Sequence, residues 1–84
     1  MALFSRINVG TTPVEIASVN GNRKSIVLIN RGTADIYLAG TNQVSATTGI
    51  QFRAQEQLTF MGDASAIWGI ASSGTQRVDV IEVA

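Results

Sequence analysis

Apolar and polar positions along this chain alternate in short runs that glycines interrupt. The clearest run is Ser25–Gly40, where Ser-Ile-Val-Leu-Ile-Asn and Asp-Ile-Tyr-Leu-Ala-Gly flank Arg-Gly-Thr-Ala. Two β-branched and aromatic segments around a glycine turn predict a hairpin. The same pattern recurs, with glycines at 10, 21, 32, 40, 49, 62, 69 and 74. It predicts strands over Leu3–Val9, Pro13–Val19, Ser25–Asn30, Asp35–Ala39, Ile50–Arg53, Gln57–Met61, Ala66–Ala71 and Gln76–Val83. No window carries a capped helical period. Val44–Thr48, small and polar, reads as a loop or a weak edge strand. The expected fold is all-β: a small antiparallel β-sandwich or jelly-roll-like barrel of about eight short strands.

Period-two alternation assigns faces. Ile36 and Leu38 point together, with Tyr37 opposite. Ala66, Trp68 and Ile70 share a face, and Gly69 turns the other way, where a neighbour can approach closely. Trp68 reads as the centre of the core rather than a stacking platform for sugar. Ile26 to Ile29 are apolar on both faces, so this strand is either central or covers a subunit contact, which makes Val27 and Ile29 candidates for that contact. In the last strand Val78 and Val80 face one way, Ile81 and Val83 the other. Either a bulge near Val80 restores the inward direction, or Ile81 and Val83 lie in an interface. Tyr37 is divided between surface and interface. Asn20-Gly21-Asn22, Met61-Gly62-Asp63 and Ser73-Gly74-Thr75 read as turns. Ala54-Gln55-Glu56 is a turn without its glycine, and Pro13 belongs at a strand start or edge.

Composition narrows the function classes. With 84 residues the chain is one domain, residues 1–84, in which residues 1–9 are an N-terminal arm or an edge strand. A chain this short is marginally stable unless disulfides, metals or oligomerisation assist. There are no cysteines and no histidines, which removes disulfides, Cys/His metal centres and the usual catalytic triads. Oligomerisation is left as the expected aid. Asp63 with loop carbonyls lacks the spacing of a calcium loop. The expected protein therefore has no catalytic residues, no cofactor and no metal, and is not an enzyme. Formal net charge is zero and charges are scattered, so neither nucleic acid nor a membrane is an expected partner. The amino terminus lacks the basic start and long apolar core of a signal peptide.

A few residues are candidates for contact. Leu3, Phe4 and Arg6 would form an apolar arm docking on a neighbour. Arg23 and Lys24 would either meet a negatively charged partner or keep the adjacent apolar run soluble.

The segment Asn22-Arg23-Lys24-Ser25-Ile26-Val27-Leu28-Ile29-Asn30, with Gly32 and Asp35-Ile36-Tyr37-Leu38, resembles small β-sandwich virion proteins of tailed bacteriophages. Thr48-Gly49-Ile50-Gln51-Phe52, Leu58-Thr59-Phe60, Ala66-Ile67-Trp68-Gly69-Ile70-Ala71 and Val78-Asp79-Val80-Ile81-Glu82-Val83 are similar to the same group, so the resemblance spans residues 10–84. Ala54-Gln55-Glu56 departs from the glycine-bearing turn of that pattern. The resemblance implies a virion structural protein that decorates and stabilises the capsid by binding the major capsid protein, as an oligomer and by preference a homotrimer. It would be made in the host bacterial cytoplasm and reside on the capsid surface. The alternative is a tail or fibre module binding a host receptor or glycan.

Overall fold

A computed structural model describes residues 2–62 and 64–84; Asp63, the one residue weighed for calcium, lies outside them. Eight strands follow in order: β1 (Ala2–Val9), β2 (Val14–Ala17), β3 (Ser25–Asn30), β4 (Ile36–Ala39), β5 (Ile50–Phe52), β6 (Gln57–Met61), β7 (Ile67–Ala71) and β8 (Gln76–Val83). They form two four-stranded sheets, β1-β8-β3-β6 and β2-β7-β4-β5, with every pair antiparallel. This is an all-β jelly roll, as the alternation predicts.

One expectation fails at the level of topology. β3 and β4 do not form a hairpin: β3 pairs with β8 and β6, and β4 pairs with β5 and β7. The segment between them carries the chain from one sheet to the other. Its geometry is held by two buried amides, with backbone bonds at its two ends, from Arg31 to the Arg77 carbonyl (2.8 Å) and from Ser72 to the Asp35 carbonyl (2.9 Å). Asn30 donates to the carbonyls of Ala34 (3.1 Å) and Phe52 (3.2 Å) and accepts from the Gly32 amide (2.9 Å). Gln76 accepts from Thr33 (2.8 Å) and Ala34 (3.2 Å) and donates to the Ser73 carbonyl (2.8 Å). Gly32 is required there because a Cβ would collide with the Gln76 side chain.

The core lies between the sheets. Val9, Ile26, Leu28, Val78 and Val80 of one sheet meet Ile16, Ile36, Leu38, Phe52 and Ala71 of the other. β8 pairs in unbroken register with β1 over Gln76–Val83 and with β3 over Val78–Val83. It therefore has no bulge at Val80, and Ile81 and Val83 face outward. The register shift in the fold is in β2, between Glu15 and Ala17. That strand follows Pro13 and lies at a sheet edge, where a missing donor is tolerated.

Trp68 is not in the core. It is half-buried and pairs with Glu15 and Ala39 on the outer face of the second sheet. Its neighbour Gly69 takes the inward position, against the side chains of Ile16, Ile36 and Leu38. Those three branched residues already fill the interior at β7, so only glycine fits.

The folded surface is 4770 Å². An unfolded chain of 8.9 kDa exposes about 12,900 Å² at ~1.45 Å² per dalton. About 63% is buried on folding, the modest fraction expected of so small a domain.

Candidate functional site

The outer face of the β1-β8-β3-β6 sheet gathers most of the residues that the alternation assigned to contacts. Register aligns them in rows. Phe4 lies opposite Ile81, Ile81 opposite Val27 and Val27 opposite Thr59. Ala2, Val83, Ser25 and Met61 form the next row, and Arg6, Asp79, Ile29 and Gln57 the one on the other side. Phe4 is 75% and Met61 79% exposed, while Val27, Ile29, Ile81 and Val83 are half-buried by their own neighbours. Alternation explains the arrangement: the opposite face of these strands supplies core residues, so an apolar residue at every second remaining position must face solvent.

The polar end of this face is built around Asp79. Its carboxylate lies 3.6 Å from Arg6, 3.5 Å from Arg77 and 4.0 Å from Arg31. These partly exposed pairs contribute little to stability, about 0–1 kcal/mol each. Their consequence is placement: they keep the charges at one end and leave the Phe4–Ile81–Val27 row apolar.

Other sequence candidates fall elsewhere. Leu3 is half exposed and turns to the opposite side of β1, across from Glu82. Lys24 is exposed just before β3, where its backbone bonds to Val83 and Gly62. Arg23 is not a surface cation. Its guanidinium is buried, donating to Glu82 at 2.6 Å and to the carbonyls of Ser65 (2.8 Å) and Ser18 (2.7 Å). It clamps the start of β3 to the end of β8 and to two loops, so it is not available to an acidic partner. Tyr37 lies on the outer face of the other sheet, away from Val27, Ile29, Ile81 and Val83. The 40–49 loop folds against it: the Gly49 backbone abuts the Tyr37 Cβ, and Val44 beside it is buried.

A second feature opens between the sheets at one end. It is a cavity of about 320 Å³ whose walls include Leu38, Ile50, Phe60, Ala66 and Ile67, with Arg23 also among its lining residues.

No protein-family model matches the chain, and no curated protein does. Solved structures do match its fold. A cupin-2 domain protein of Shewanella frigidimarina superposes with a TM-score of 0.62 at 14% identity, over 99% of this chain and 71% of that one. The cupin-2 domain of an XRE-family transcriptional regulator from Enterobacter cloacae gives 0.63 at 8% identity, over 96% and 81%. A Bacillus endospore appendage protein that forms disulfide-linked pili gives 0.52 at 12%, over 99% and 85%.

These neighbours correct the resemblance to bacteriophage virion proteins, and with it the capsid-decoration function and the tail or fibre alternative. The cupin matches span nearly the whole chain, and no bacteriophage protein is among them. The strand and turn pattern that carried the resemblance is common to jelly rolls, and fold alone does not carry function.

The likeness to cupin-2 domains raises the question of a metal. The donor set here does not fit one: the sequence has no histidine or cysteine, and among the described residues no three acidic or ligating side chains converge. Most inward positions are occupied by aliphatic residues and Phe52, and the buried polar side chains, Arg23, Asn30 and Gln76, are amides and a guanidinium rather than acidic ligands.

Proposed function

We propose that this chain is a non-enzymatic assembly module that associates with copies of itself through the outer face of the β1-β8-β3-β6 sheet. The observation that supports it is the Phe4–Ile81–Val27 row, an apolar stripe crossing three strands on a face open to solvent. Contiguous apolar surface of this kind marks contact sites. Size is adequate as well. The molecule measures 33 × 23 × 15 Å, so a broad face is about 760 Å² in plan, close to the ~800 Å² each partner gives to a standard interface. Self-association would also supply the stability that a small core and absent disulfides withhold.

Two acidic groups on or behind this sheet are already engaged. Glu82 is held by Arg23, and Asp79 is surrounded by three arginines. The pilus-forming appendage protein lends support, because its likeness pairs this fold with assembly. This chain has no cysteine, so its own contacts would be held without disulfides.

The chain's freedom from cysteine makes the test direct. Thr59 stands in the apolar row, and Gln51 stands on the outer face of the opposite sheet. Under mild oxidation, Thr59→Cys should form disulfide-linked dimers well above the level of Gln51→Cys. Equal linking by both variants, or none by either, would overturn the proposal.

A further inference from the structure

The structure assigns the cavity between the sheets to a compact, uncharged aliphatic molecule. Its volume of about 320 Å³ sits at the small end of ligand cavities, ~300–1,000 Å³. A space this size admits a single ring or a branched chain and no folded segment of a partner. The walls come from both sheets: Leu38, Ile50 and Ile67 from one, Phe60 from the other. Ile50 is 70% exposed in the free protein. It stands at the rim, where an occupant would cover it.

Charge selects the class of occupant. Arg23 is the one charged side chain among the described lining residues. Its guanidinium is already engaged by Glu82 and by two backbone carbonyls. An anion entering the cavity would have to compete with a 2.6 Å carboxylate contact, and would lose its hydration while doing so. A neutral ligand faces neither cost and gains by covering apolar wall. The site is independent of the proposed self-association, because none of the Phe4–Ile81–Val27 row lines it.

Two probes of matched skeleton test this: cyclohexylmethanol, neutral, and cyclohexanecarboxylate, anionic. Each is titrated into the protein while backbone amide resonances are followed by NMR. Cyclohexylmethanol should give saturable shifts centred on Ala39, Gly40, Ala66 and Ile67, with a Kd on the order of 1 mM or tighter. The carboxylate should bind at least ~10-fold more weakly. Ala66→Leu fills the cavity and should weaken the alcohol by a similar factor. Ile50→Ser, at the exposed rim, provides a second variant that leaves the core untouched and should also weaken it. Absence of saturable shifts, equal or tighter binding of the carboxylate, or unchanged binding by both variants would overturn the assignment.

Discussion

Arg23 shows what a single side chain does in this fold. It joins Glu82, Ser65 and Ser18 at one point, and its partner carboxylate lies 59 residues away in the chain. Removing one member of such a buried pair leaves the other desolvated without compensation, at a cost of about 3–5 kcal/mol. Arg23→Met should therefore lower stability by about that amount in urea unfolding, while Arg23→Met combined with Glu82→Leu should recover a measurable part of it. Full additivity of the two losses would contradict the coupling. Gln55 carries the opposite sign. It sits at φ +64° in the turn after β5, a left-handed conformation that costs a non-glycine residue roughly 1–2 kcal/mol. Its side chain returns one exposed hydrogen bond to the Gly32 carbonyl. Gln55→Gly should raise the melting temperature by a few degrees, from about 1 kcal/mol of relieved strain; a lower melting temperature would show that the side-chain bond dominates.

At the scale of elements, the strands were legible and their partners were not. Alternation gave all eight strands to within a residue or two, because each buries one face and exposes the other. It also put Ile81 and Val83 opposite Val78 and Val80, and the unbroken β8 register decides between a bulge and an outward face. The step from β3 to β4 differs from the expected hairpin because a glycine turn looks alike whether the chain returns along its own sheet or crosses to another. The deciding groups, Asn30 and Gln76, act through side-chain bonds that no local pattern announces. Trp68 was misplaced for a related reason. Size favours the core only where space exists, and at β7 Ile16, Ile36 and Leu38 leave room for Gly69 alone. The apolar face was therefore half legible, as candidates on separate strands whose alignment needed the register. Gly69→Ala would put a Cβ 2.7 Å from the Ile16 Cδ1. It should destabilise the fold by about 1–3 kcal/mol, the usual range for overpacking; Gly10→Ala, with open space around it, should change stability far less.

The whole molecule is a thin two-layer sandwich, 15 Å across its shortest axis. Its interior is largely apolar, the charges on and behind one sheet are drawn into ion pairs around Asp79 and Glu82, and one of its broad faces keeps an apolar stripe in solvent. Those features support the proposed self-association through that face. The most direct measurement is sedimentation equilibrium over a wide concentration range, comparing the wild type with a Val27→Thr, Ile81→Thr double variant. Threonine keeps the β-branch and strand propensity of both residues, matching valine in shape and falling one methyl short of isoleucine, while placing a hydroxyl in the contact. The wild type should sediment with a mass that is a multiple of 8.9 kDa. The variant should shift toward monomer by at least ~10-fold in the dissociation constant, as expected when each of two contact side chains loses apolar groups worth ~0.8 kcal/mol apiece on burial. A wild type that remains monomeric at every concentration, or a variant that associates as tightly as the wild type, would contradict the proposed self-association.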